Sequence, residues 1–80
     1  VKFKRMGVVA GVPDFVIPEP THAYHGLYIE LKANKNKPTP NQKAMIEQLA
    51  SRGYRVEVCN EFEQFKRVVK GYFEGGNEWL

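Results

Sequence analysis

The sequence predicts a mixed α/β sheet flanked by helices, in the order strands, helix, strand, helix. Three observations carry that expectation. Residues 26–33 alternate with a period of two: Leu27, Ile29, Leu31 and Ala33 take one face and Tyr28, Glu30 and Lys32 the other. Thr39-Pro40-Asn41-Gln42 then reads as a helix start, with Thr39 as N-cap, Pro40 first in the helix and Gln42 completing a capping box. Beyond that helix, residues 54–59 return to a valine-rich alternation before a second helical periodicity begins.

In chain order, residues 2–5 alternate weakly and predict an edge strand. Residues 6–11 are small and apolar and end in Gly11-Val12-Pro13, a turn that aims Asp14. Proline fixes its own φ and restricts the residue before it, so this entry is stiff. Residues 14–17 form a strand stopped by Pro18-Glu19-Pro20, and the loop 21–26 is short enough for an antiparallel hairpin. After the strand 26–33 and the loop 34–38, the first helix turns Met45, Ile46 and Leu49 to the core and ends at Ser51-Arg52-Gly53. Asn60 is expected to cap the last helix, whose Phe62, Phe65, Val69 and Tyr72 share one face as core residues. The domain spans residues 1–74, and residues 75–80 read as a turn-like tail containing Trp79.

Composition narrows the class. A chain of 80 residues, 42% hydrophobic, supports one small globular domain. The start has no apolar run that fits a signal peptide, and no stretch reaches the roughly 18 apolar residues of a membrane span. A lone cysteine, Cys59, excludes an internal disulfide and a Cys-rich zinc site, and the expected setting is the reducing cytoplasm. Net charge is only +3, but its distribution is uneven: Lys32, Lys35, Lys37 and Lys43 follow one another without an intervening acid. Such a lobe suits a polyanion, with Lys35, Lys37 and Lys43 as candidate DNA-binding residues.

The chemistry concentrates in Asp14, at the mouth of one apolar strand, and Glu30-Leu31-Lys32, which interrupts the next. Unpaired charge on an apolar strand is costly, and such groups commonly await a metal or a phosphate. If the two strands pair, both acids share a face. Carboxylate oxygens suit a hard divalent ion, Mg2+ or Mn2+, and the Leu31 backbone carbonyl offers a third ligand. Lys32 is placed to orient a water or stabilise developing charge, and Gln42 to hydrogen-bond the water or the backbone near Lys32. His22 and His25 read as exposed loop residues.

Gly11-Val12-Pro13-Asp14, Glu30-Leu31-Lys32 and Thr39-Pro40-Asn41-Gln42 together resemble the PD-(D/E)XK nuclease superfamily, and within it the VRR-Nuc family. The resemblance runs from about residue 8 to residue 73, including Arg55-Val56-Glu57-Val58 and Asn60-Glu61. It implies a restriction-endonuclease-like sheet and Mg2+- or Mn2+-dependent DNA cleavage, with Asp14 and Glu30 as metal ligands, Lys32 catalytic and Gln42 accessory. The family's usual first helix, which often carries a further glutamate, does not precede Val1 in this chain.

The expected function is therefore a structure-selective DNA endonuclease acting on four-way (Holliday) junctions or similar branched DNA. The alternative is a non-catalytic nucleic-acid-binding or assembly module that keeps the fold. One chain carries one candidate site, so paired cuts call for a homodimer, a state the resemblance also implies for stand-alone members. Residues 6–10 and Trp79-Leu80 are the expected contact surfaces.

Overall fold

The computed structural model describes residues 4–5, 11–33 and 36–78. Residues 6–10, Lys35 and Trp79-Leu80, to which the sequence assigns an apolar contact segment, a DNA-binding lysine and a second contact surface, lie outside them.

Four strands make one sheet in the order β1-β2-β3-β4. They are β1 (Lys4–Arg5), β2 (Phe15–Ile17), β3 (Leu27–Leu31) and β4 (Arg55–Cys59); the helices are α1 (Pro40–Ser51), between β3 and β4, and α2 (Phe62–Glu78). β1, β2 and β3 are antiparallel neighbours, and β4 runs parallel to β3. A parallel neighbour requires a crossover, and α1 supplies it.

Strand alternation divides the side chains between two faces. Ile17, Leu27, Ile29 and Cys59 form the buried core with Tyr72 of α2, and Phe15, Phe65, Val68, Val69 and Phe73 pack around them. Tyr72 also fixes α2 to the chain after β2, its hydroxyl donating to the Glu19 carbonyl. No α1 side chain joins this cluster. α1 contacts β4, and none of its residues is fully buried. Met45, Ile46 and Leu49 are thus half-buried rather than central.

Local chemistry makes both helix starts. At α1 the capping box forms as expected: the Gln42 amide donates to Thr39 Oγ1 at 3.3 Å, and the Thr39 amide donates to Gln42 Oε1 at 2.9 Å. At α2 the first helical bond runs from the Phe65 amide to the Glu61 carbonyl, so Asn60 lies one residue too early to be the cap. Gln64 does the fastening instead, its Oε1 accepting from the Asn60 amide at 2.9 Å.

Two further expectations are corrected. α2 continues through Gly75 and Gly76 to Glu78, so the turn expected at Gly75 does not form there. Glycine lowers helix stability by about 1 kcal/mol per residue but does not break the backbone ladder. Phe62, expected in the core with Phe65, Val69 and Tyr72, is 68% exposed. It occupies the right angle on the helix but sits in the first turn, where the sheet beneath α2 has ended.

Candidate metal and nuclease site

The register of β2 and β3 builds the site. Phe15 pairs with Ile29, and carrying the pairing one residue further sets Asp14 opposite Glu30 on the face away from α2. The ladder ends there, so the Leu31 amide lacks a strand partner and donates to Asp14 Oδ2 at 2.9 Å. That bond fixes one Asp14 oxygen and ties the acid to the backbone between Glu30 and Lys32.

The turn that delivers Asp14 rests on α1. Gly11 has φ +88°, and a Cβ there would come within 3.1 Å of the Asn41 carbonyl oxygen in the first helical turn. Glycine is needed at this position for both reasons. Residues 11–14 and 39–42, distant in sequence, are thereby brought side by side.

Glu30 is only 3% exposed, and its Oε1 is buried without a hydrogen-bond partner. Burial pushes its pKa up to about 7; the hydrogen bond and negative charge of Asp14 push the same way, and the Lys32 ammonium partly offsets them. The Lys32 amide donates to the Cys59 carbonyl at 2.8 Å, which holds the residue just past β3 against the end of β4. The structure therefore gathers Asp14, Glu30, the Leu31 backbone and Lys32.

Gln42 is half-buried, with Oε1 committed to the capping box. Lys37 and Lys43 are exposed and carry no ion pair among the described residues. His22 and His25 are exposed; the His25 ring lies edge-on to Tyr54 at 5.6 Å, and its amide donates to the Gly53 carbonyl. No group of three or more His, Cys, Asp or Glu gathers among the described residues. The donors present fit a hard cation: two carboxylates, one with an unpartnered buried oxygen, beside a backbone segment with a carbonyl outside the β2 ladder.

Residues 2–62 match the VRR-NUC domain family. The chain belongs to the VRR-NUC family. A solved structure described as a VRR_NUC domain protein is 41% identical and superposes with a TM-score of 0.79 over 86% of this chain. The match spans 58% of that protein's chain. No curated protein matches. Membership supports a nuclease-like domain, and it covers all three motifs, from Gly11 to Gln42.

Sequence reasoning missed an open cleft of about 410 Å³ at the carboxyl ends of β3 and β4, whose lining includes Leu31, Lys32, Cys59 and Phe62. Two adjoining facts hint at it: Leu31 is flanked by site residues, and Phe62 is the first aromatic of α2. Among the described residues no helix is long and apolar enough to cross a membrane.

Proposed function

We propose that this VRR-NUC domain is a divalent-metal-dependent DNA endonuclease that resolves four-way or similarly branched DNA as a homodimer. The observation that carries the reading is the buried Glu30 carboxyl beside Asp14, with Oε1 unpartnered. A purely structural pair of acids would be a poor use of a strand end, because like charges in low dielectric repel. A cation between them turns that cost into binding energy.

Asp14, Glu30 and the Leu31 carbonyl would hold Mg2+ or Mn2+. When bound, such an ion supplies a water of lowered pKa and neutralises charge on the phosphate. Lys32 would orient the attacking water and, as its oxygen bonds to phosphorus and the P–O bond to the leaving strand breaks, would stabilise negative charge on the phosphoryl oxygens. Gln42 keeps its Nε2 as the donor left over from the capping box, on the turn that supports Gly11. Lys37 and Lys43, with Lys35, provide phosphate contacts that hold the polyanion without reading its sequence. Hydrolysis leaves one strand cut; a second chain related by a two-fold axis cuts the other.

Incubation with flap, fork, duplex, single-stranded and four-way DNA in Mn2+ or Mg2+, with and without EDTA, tests the reading. Paired, chelator-sensitive nicks on the four-way substrate and a dimer in sedimentation are expected. Binding without cleavage in either metal would identify a non-catalytic module instead.

A further inference from the structure

The cleft beyond the ends of β3 and β4 is mostly apolar, with Lys32, Asn60 and Glu61 as the polar part of its lining. Leu31 is 40% exposed and Phe62 is 68% exposed, and they are the large hydrophobic side chains left open among the described residues. Leu31 pairs in register with Cys59, so the floor is the last rung of the parallel ladder and Phe62 is the wall.

This cleft is continuous with the acidic site through one residue. The amide of Leu31 holds Asp14 at 2.9 Å, while its side chain lines the cleft. Neighbouring strand residues point to opposite faces and are about 3.3 Å apart along the strand. Glu30 and Leu31 thus put carboxylate and apolar floor on opposite sides of one strand end, one residue apart. Lys32 belongs to both places: its charge acts on Glu30, and it lines the cleft.

We infer that the Leu31–Phe62 cleft takes an unpaired nucleobase of the DNA strand being cut, adjacent to the scissile phosphate. The inference rests on the nuclease reading for its substrate and adds the feature of that substrate which the domain senses. A strand whose phosphate lies at Asp14 and Glu30 runs past the end of β3, and a flanking nucleoside reaches Leu31 by turning over that strand end. An exposed phenylalanine offers stacking to any base with a free π-face, and bases inside a continuous duplex have none to offer. The Lys66 ammonium lies over the Phe62 ring, 5.3 Å from its centroid, and the Phe65 ring stacks with Phe62 at 6.0 Å, so an incoming base displaces the Lys66 side chain from the face it covers. The Glu63 carboxylate lies 3.1 Å from the same ammonium. Junction centres, flaps and ends supply unpaired bases, so the cleft selects branched DNA without reading its sequence.

The test uses the whole 80-residue chain and oligonucleotides with 2-aminopurine one position to either side of the cut site, bound in Ca2+. The parent should change the probe's fluorescence on one side of the cut. Phe62→Ala should abolish that change and weaken binding to unpaired DNA about tenfold, with duplex affinity unaltered. Phe62→Trp should restore both. An unaltered signal and affinity in Phe62→Ala, with its melting temperature intact, would overturn the inference. So would a change from dimer to monomer with the probe signal unaffected, which would make the cleft an interface between copies. Cleavage by the parent without any Phe62-dependent signal refutes the cleft and leaves the nuclease reading standing. A Phe62-dependent signal without cleavage in Mn2+ refutes the nuclease reading and, with it, the placement of the base beside a scissile phosphate.

Discussion

Glu30→Gln removes a buried carboxyl whose ionisation is costly, and its consequence is readable without nucleic acid. The Glu30 carboxyl is raised from 4.5 to about 7, by burial first, then by the hydrogen bond and charge of Asp14, with Lys32 pulling back. At 1.36 kcal/mol per pKa unit, that shift amounts to about 3 kcal/mol. Because the folded value lies above the unfolded one, the unfolded chain gives up this proton first, and ionisation favours unfolding. In the metal-free parent, the contribution is fully present below about pH 4.5, is lost as pH rises toward 7, and stays lost above it. Glu30→Gln has no such group. The difference in stability between mutant and parent should therefore shift by about 3 kcal/mol in the mutant's favour between about pH 4.5 and pH 8. The buried amide brings its own unsatisfied atoms, costing roughly 1–3 kcal/mol, but equally at every pH. Only the slope discriminates. Urea denaturation in EDTA across that range measures it, and thermal melts should show a relative shift on the order of 10–20 °C for a domain of this size. Parallel pH profiles for the two proteins would refute the reasoning.

Mg2+ or Mn2+ should raise the parent's melting temperature and flatten its pH slope, because ligand binding to the folded state alone stabilises it. Asp14→Asn keeps an acceptor for the Leu31 amide and should lose most of that response; equal shifts would remove Asp14 from the ligand set. Lys32→Ala should abolish cleavage, measured by single turnover, while binding in Ca2+ stays within a few-fold. Cleavage within about tenfold of the parent would show that Lys32 does not act on the transition state. Gln42→Glu keeps the acceptor of the capping box and hence the melting temperature, but loses the Nε2 donor and should slow cleavage. Unchanged cleavage in that variant would confine Gln42 to capping α1, where Gln42→Ala loses the acceptor of the Thr39 amide and should cost roughly 0.5–1.5 kcal/mol.

What the sequence made legible is what short-range physics decides. The capping box at Thr39 and Gln42 needs only four consecutive residues. The meeting of Asp14 and Glu30 needs only a hairpin register, and the period of two then assigns their face. Axial position was not legible. Helical spacing gives Phe62 the same angle as Phe65, but not the fact that the sheet stops short of it. The same blindness applies to Leu31, apolar and in phase with Leu27 and Ile29, yet on the last rung with nothing above it. The cap of α2 was misjudged because Asn60 is a good cap by type, whereas Gln64 reaches back from within the helix to take the Asn60 amide. Contacts between distant segments, such as Gly11 on α1, have no local signature at all.

That last contact has a consequence for how the domain diverges. The atom Gly11 approaches is the main-chain oxygen of Asn41, which every amino acid possesses. Position 41 can change identity freely while the contact survives, whereas a side chain at position 11 meets both the carbonyl and an unfavourable φ. The two positions touch, yet no substitution at one can compensate a substitution at the other. Across a lineage they will not co-vary: one stays fixed while the other drifts. Pairwise covariation would therefore leave the joint that seats Asp14 unmarked, although the acidic site depends on it.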